Sequence, residues 1–471
     1  MTPAGDLARR AAETPSATAL EWEGGRMTYR QLDTRAAALA DGFQVRGAIP
    51  GGAATLCATP APDAIAALFA LWRAGCVAVP LHERLTRSEI GYARQTVKSS
   101  LHIDNPGLHS ELAATPGAGP NDVQAFPDVI AFILTSGSSG SPRALGFTRD
   151  TLAASASAVA GRLGLSADDR WGLCLSPGHI GGLSLIVRAV MTGASVRLWP
   201  SFDADAVVRA ILAEEVTHLA VVPVMLRRIL TELAGARIPP SLRCVLVGGA
   251  AAPRALLDQA WAAAMPLATT WGMTETASQV ATASPALARR HPGTAGRPLR
   301  GIEVRTGPGG ALQVRGPTLA SVVIRGAGVP PEPLPTDPEG WFATRDLGHI
   351  DADGLVWIEG RADAIIVSGG LNVSPGEVER AIEAMPGVRE AVVLGLPDEE
   401  WGETVAAVVE ADPAAVTPAD VDRHCRKHLV RGRCPTRTVV VDALPRTWTG
   451  KVMRYRVLEH LEPAVQPRKT T

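Results

Sequence analysis

The sequence predicts an α/β fold: a large N-terminal domain of α/β sheets with a small β-rich barrel section, followed by a smaller α+β C-terminal domain. Three observations predict it. From 151 to 250, runs with helical apolar spacing alternate with short apolar runs, the rhythm of a largely parallel sheet covered by helices. From 296 to 360 the texture changes to short alternating runs (IEVRT, ALQVRG, SVVIRG, LVWIEG) broken by Gly and Pro. After Arg361 strands and helices mix in a segment long enough to fold on its own.

The elements follow in order. Residues 31–46 (QLDTRAAALADGFQVR) are Ala-rich with helical spacing; 62–74 look similar and lead into the strand-like run Cys76–Pro80. Residues 104–128 lack pattern and are rich in Pro, Gly and Asn, so they read as a surface connection. Val129–Leu134 is an apolar strand. Helices near 151–163, 183–192, 204–215 and 224–233 alternate with strands near 171–175, 194–199, 217–222 and 242–247. Beyond Arg361 come a strand, a Gly-Gly turn, a helix at 375–385, strands at 389–396 and 403–410, a helix at 417–429 and a strand at 437–442. Ser374 as N-cap, Pro375 at the first helical position and Glu377 in the capping-box position predict a firm start to the 375–385 helix. The polar tail after 461 is expected to be disordered, and no internal repeat is found.

Composition removes several function classes. With 46 basic against 47 acidic side chains, the chain lacks the basic excess of a general nucleic-acid binder. Aromatics are 4%, which also disfavours base-stacking surfaces. Apolar residues are 46%, enough for a large core. The 47 Gly and 37 Pro slightly exceed average usage and suit many working loops. Cys57, Cys76, Cys174, Cys244, Cys425 and Cys434 form no C-x-x-C pair, so no zinc ribbon or thioredoxin motif is expected, and their low density fits a reducing cytosol. No apolar h-region opens the sequence and no run reaches about 18 apolar residues, so neither a secretory signal nor a membrane span is expected.

Five stretches carry chemistry. Thr135-Ser136-Gly137-Ser138-Ser139-Gly140 follows a strand and continues to Arg143; its N–H and O–H donors can wrap phosphate oxygens, with Arg143 adding charge. The same run reads alternatively as a Ser/Gly linker, and no Gly-Lys-Ser/Thr follows to make a Walker loop. Trp271-Gly272-Met273-Thr274-Glu275-Thr276-Ala277-Ser278-Gln279 sets a carboxylate between hydroxyls, suited to holding Mg²⁺ against phosphate, with Trp271 able to stack on a purine; it also reads as a helix start with Thr caps. Asp346 in Phe342–Gly348, with Gly360-Arg361-Ala362-Asp363 nearby, suits ribose hydroxyls or a plain turn. Gly369 and Gly370 precede the 375–385 helix. Lys451 follows Gly450 and reads alone as a solvated surface residue.

In this order and spacing, the five stretches resemble the adenylate-forming superfamily of acyl- and aryl-CoA ligases, adenylation domains and luciferases. Thr28–Leu32, Arg73–Gly75 through Leu81, Gly248-Gly249-Ala250 and Gly296-Arg297-Pro298 extend the resemblance over nearly the whole chain. It implies two domains, 1–362 for ATP and acid and a mobile 363–471 carrying a catalytic lysine. It implies that a carboxylate attacks ATP to give acyl-AMP and pyrophosphate, with later transfer to a thiol, usually coenzyme A. The Thr135–Gly140 loop would hold the outer phosphates, Thr274 the α-phosphate and Glu275 the Mg²⁺. Gly248, Gly249, Ala250, Trp271, Gly272 and Met273 would line the nucleotide, and Asp346 with Arg361 would take the ribose. Lys451 would bridge carboxylate and α-phosphate, Asp363 would be the hinge, and Gly369-Gly370 would face the thiol tunnel. Three departures stand out: Arg143 for the usual Lys followed by Ala144 for Gly, Arg345 for Gly, and Ala364 for Asp.

The acid is narrowed by Leu175–Ser184, where His179, Gly181, Gly182 and Ser184 precede Arg188. This run, with Ala277 and Ser278 and the Phe342–Asp346 variant, resembles the o-succinylbenzoate–CoA ligase branch of menaquinone biosynthesis. That acid has a second carboxylate, for which Arg188 is a sensible partner, and Gly181 and Gly182 would make room for its ring. His179 and Arg188 read equally well as a packed gate and a solvated helix residue. Other aryl or short-chain acids, carrier-protein loading and a non-catalytic relative are the competing readings; homo-oligomerisation stays open. The basic run Arg423–Arg433, with His424, Cys425 and His428, is expected to be a solvated face.

Overall fold

The computed structural model describes residues 2–104, 115–116, 125–126, 128–136, 142–368, 371–398, 401–446 and 452–461. Most of the expected 104–128 connection and the tail from 462 lie outside the described residues.

The first helix of the expected set is Tyr29–Val45, begun by a reciprocal capping box between Thr28 and Gln31. Helix Pro62–Arg73 is buried from Ala64 through Trp72, so it is apolar on every side and sits inside the molecule rather than on its surface. Burial of its Ile, Leu and Phe side chains contributes about 1.5–3 kcal/mol each. Sequence reading missed the opening helix Pro3–Glu13 and the hairpin Thr18–Trp22 with Gly25–Thr28. They have little apolar run of their own, and the hairpin is completed by parallel pairing of Thr18–Trp22 with Ser195–Leu198.

The alternating middle of the chain forms one sheet. Strands Ser195–Leu198, Arg170–Leu173, His218–Val221, Cys244–Val247 and Leu267–Met273 are neighbours and run parallel. Helices Ile180–Thr192, Ala204–Leu212, Pro223–Leu233 and Arg254–Ala262 supply the crossovers, and Arg149–Leu163 leads in from the second sheet. A second sheet of eight strands brings Val77–Leu81 and Ala53–Cys57 beside the hairpin of Val129–Ser136 and Pro142–Thr148.

In the β-rich stretch, Ser278–Ala283 and Thr294–Pro298 pair antiparallel beyond Leu267–Met273, and Val356–Arg361, Phe342–Ile350, Ala311–Arg315 and Glu303–Thr306 follow. These strands lengthen the first sheet to thirteen. Val322–Ile324 leaves it and joins Pro142–Thr148 in the second sheet.

Beyond Ala364, five strands make a separate sheet with its own apolar core, including Ile366, Val378, Ile382, Val393 and Val421. The helix expected at 375–385 is Pro375–Glu383, but its capping box does not form: among the described residues Ser374 makes no side-chain cap bond. Glu377 instead pairs with Arg433, at 2.6 and 2.7 Å from one guanidinium nitrogen. A two-oxygen salt bridge across the fold outcompetes the local backbone bond. In the basic stretch, Cys425 is buried, His424 Nε2 lies 3.0 Å from Ala381 O, and Arg423 pairs with Asp420.

Candidate active site

Two of the five stretches meet through Arg143. Thr135 and Arg143 are cross-strand partners in the Val129–Ser136 hairpin, and Arg143 Nε donates to Thr135 Oγ1 at 3.2 Å. The far end of the same guanidinium forms a short ion pair with Glu275. Glu275 stands in the single turn Thr274–Thr276, tethered when its carbonyl accepts the Ala320 N–H at 2.8 Å. The sheet hairpin and the turn therefore place one cation and one carboxylate side by side.

The backbone after that turn is forced. Ala277 and Ser278 have φ of 50° and 103°, a region where L residues cost about 1–3 kcal/mol. Ser155 Oγ donates to Ala277 O at 2.7 Å, and Thr276 Oγ1 accepts the Met273 N–H at 3.2 Å, so buried hydroxyls pin the strained turn. Gly272 sits at a bulge where a Cβ would lie 1.9 Å from Ser278 O. Only glycine fits that position.

Asp346 lies across the sheet from Arg361; Trp271 Nε1 donates to it at 2.8 Å and Arg361 Nη1 at 3.2 Å. The Trp271 ring is buried at 7% exposure among Val280, Ala281 and Leu312. Its role in this structure is to orient the Asp346 carboxylate; little of the ring is left for a base. Gly248–Ala250 follows strand Cys244–Val247, with Gly249 at φ 80°, at the carboxyl edge of parallel strands where ligands of such sheets collect.

Of the residues expected to line an acid pocket, Gly181, Gly182, Ser184 and Arg188 lie on helix Ile180–Thr192, with His179 at its N-cap position. The His179 ring stands 5.5 Å from that of His82, which burial, helped by the His179 and Arg84 charges, holds down at a pKa of about 3. Ser176 Oγ donates to Glu83 at 3.0 Å. His82 and Glu83 were missed by sequence reading, although their place just after strand Val77–Leu81 was a usable signal. Ser184 Oγ donates to Gly181 O at 3.2 Å. Gly182 answers a backbone need: a Cβ there would lie 2.3 Å from Ser176 O. A Cβ on Gly181 would meet Leu175 at 3.0 Å.

Arg188 is 2% exposed, with its guanidinium 5.4 Å above the Trp171 ring. One Nη lies 3.4 Å from Ser184 Oγ, while Nε has no hydrogen-bond partner among the described residues. Burial lowers its pKa to about 10, so it stays charged at neutral pH. The expected solvated alternative is thus excluded: this is a buried cation with no carboxylate paired to it among the described residues. Gly137, Ser138, Ser139, Gly140, Gly369, Gly370 and Lys451 lie outside the described residues, and Asp363 falls in the turn Ala362–Ala364.

The fold and this constellation define a class, and sequence comparison agrees: the chain belongs to the AMP-binding enzyme family, whose model matches residues 7–330, with the family's C-terminal domain matching 377–451. Among its relatives, the 2-succinylbenzoate–CoA ligase of Bacillus cereus strain Q1 is 30% identical, covering 97% of this chain and 98% of that one. The ligase of the same description from Bacillus licheniformis is 32% identical over 96% and 98%. The o-succinylbenzoate CoA synthetase of Bacillus subtilis in complex with its acyl-adenylate intermediate superposes with a TM-score of 0.84 at 28% identity, covering 96% of this chain and 97% of that one. The same synthetase with ATP and magnesium ion gives 0.81 at 27%, over 96% and 99%.

Proposed function

We propose that this protein is an AMP-forming acid–thiol ligase that activates o-succinylbenzoate and transfers it to coenzyme A, a step of menaquinone synthesis. The observation that carries the substrate choice is Arg188: a buried cation whose Nε has no partner among the described residues, on the helix headed by His179. A dicarboxylic aryl acid brings the missing anion. Ser184 and the His179–His82 pair complete that wall, with Gly181, Gly182, Ala277 and Ser278 as close-packed backbone.

In the first half-reaction a carboxylate oxygen bonds to the α-phosphorus of ATP and the bond to pyrophosphate breaks. In the second, the thiol sulfur bonds to the acyl carbon, AMP leaves and the thiol proton is released. Both reactants of the first step are anions, so the site must supply positive charge and alignment. Arg143 and the Thr135–Gly140 loop take the outer phosphates, Thr274 the α-phosphate, and Lys451 bridges the reacting groups. Asp346, fixed by Trp271 and Arg361, accepts the ribose hydroxyls. Glu275, beside Arg143, would offer the hard oxygen that Mg²⁺ prefers. When bound, Mg²⁺ neutralises phosphate charge. The domains are 1–362 and 363–471, with Asp363 as the hinge that withdraws Lys451 and presents Gly369-Gly370 to the thiol.

The test is pyrophosphate release with ATP, Mg²⁺ and a panel of acids, with and without coenzyme A. A thioester formed with o-succinylbenzoate, and not with benzoate or short fatty acids, is the expected result. Turnover only with other acids overturns the substrate. Acyl-AMP formation without a coenzyme A thioester overturns the acceptor and points to a carrier protein.

A further inference from the structure

A second cluster lies in the eight-stranded sheet, sharing no residue with the site above. Strands Ala53–Cys57 and Leu101–Ile103 are parallel neighbours, with Leu56 opposite Ile103. Their carboxyl ends therefore bring Cys57 and Asp104 together, and His102 reaches the same spot. Asp104 Oδ1 lies 3.7 Å from Cys57 Sγ and 3.7 Å from His102 Nε2, and the three donor atoms all fall within 4.8 Å of one another. For sulfur, imidazole and carboxylate ligands on one tetrahedral ion, bond lengths of about 2.0–2.3 Å put neighbouring donors about 3.3–3.8 Å apart. The His102–Asp104 distance is long for a hydrogen bond and right for two ligands of one ion.

We propose that Cys57 Sγ, His102 Nε2 and Asp104 Oδ1 bind one zinc-class divalent cation, leaving a fourth position for water. His102 is pre-oriented for it: its Nδ1 lies 2.9 Å from the Thr55 hydroxyl, which is itself held by Ser99 and the Leu101 carbonyl. A partner on Nδ1 that fixes the ring and leaves Nε2 for the metal is the usual support of a metal-binding histidine. His102 is buried and Cys57 half-buried, while Asp104 is exposed, so the site is built and has an open side. The thiolate and imidazole select a borderline-soft ion over Mg²⁺, whose hard oxygen preference matches Glu275 instead. Binding converts the thiol to thiolate with its proton lost to solvent.

Co²⁺ titration of the full chain in the presence of excess Mg²⁺ tests this. The expected result is one Co²⁺ per chain, an intense near-ultraviolet sulfur-to-cobalt band, and about one proton released per ion. Cys57→Ser removes the band and the proton, and Asp104→Asn, an exposed change that leaves the fold alone, weakens binding by at least about tenfold. No Co²⁺ binding by the wild-type chain overturns the proposal. So does a sulfur band that survives Cys57→Ser, because it would belong to another cysteine. The readouts are independent of ligase activity, so they stand or fall apart from the proposed reaction.

Discussion

Arg188 shows how much a single residue can say. Spacing alone left it as a helix residue with two readings. Burial over Trp171, with its Nε unpartnered among the described residues, is what makes it the proposed partner of an anionic substrate group. Arg188→Ala is therefore expected to raise KM for o-succinylbenzoate by at least about tenfold, the scale of a lost charge-assisted hydrogen bond, and leave KM for ATP nearly unchanged. Steady-state kinetics with each substrate varied checks it; equal changes in both constants would remove Arg188 from the acid pocket. Trp271 teaches the opposite lesson. Its residue type suggested a purine platform, but its indole N–H is committed to Asp346 and its ring is packed away. Side-chain chemistry was legible at both positions; the partner that decides its use came from a strand many residues distant.

At the scale of elements, periodicity located the helices and strands of the alternating half because each buries one face in a regular register. It failed where stability comes from neighbours: hairpin Thr18–Trp22 and Gly25–Thr28 is completed by Ser195–Leu198. It also failed at Ser374, where Glu377 leaves the helix start for Arg433. Gly182 is the element-level constraint most open to test. Its helix approaches the Leu175–Ser176 backbone so closely that an added methyl has no flexible side chain to displace. Gly182→Ala should cost about 1–3 kcal/mol or more, read as a lower denaturant midpoint with unchanged secondary structure. Gly161→Ala, on a helix face with nothing within 4 Å, is the control and should not destabilise.

At the scale of the whole molecule, two expectations concern states rather than contacts. His82 and His218 are buried with pKa values of about 3 and about 4; desolvation lowers both, aided by His179 and by Arg188 respectively. The folded values lie below the unfolded one of about 6.5, so on acidification the unfolded state takes up protons first. Stability is full above that value and falls by up to about 1.4 kcal/mol per pH unit per histidine as pH drops toward 4. Denaturant midpoints at about pH 7.5 and about pH 5 should separate, and His218→Gln should narrow the gap. The second expectation is about domain alternation. Lys451→Ala should abolish acyl-AMP formation yet spare thioester formation from supplied acyl-AMP, and equal loss in both half-reactions would refute the lysine's assigned role.

By itself the sequence determined the α/β class, the order of the five chemical stretches and the family they mark, because those depend on local periodicity and on residue types at fixed spacing. Tertiary structure alone decided that the β-rich stretch lengthens the first sheet, that Arg143 faces Glu275, that Trp271 holds Asp346 and that Arg188 is buried with no carboxylate paired to it among the described residues. Those outcomes rest on contacts between segments far apart in the chain. Their energies come from desolvation and charge pairing, which no local pattern of residues encodes.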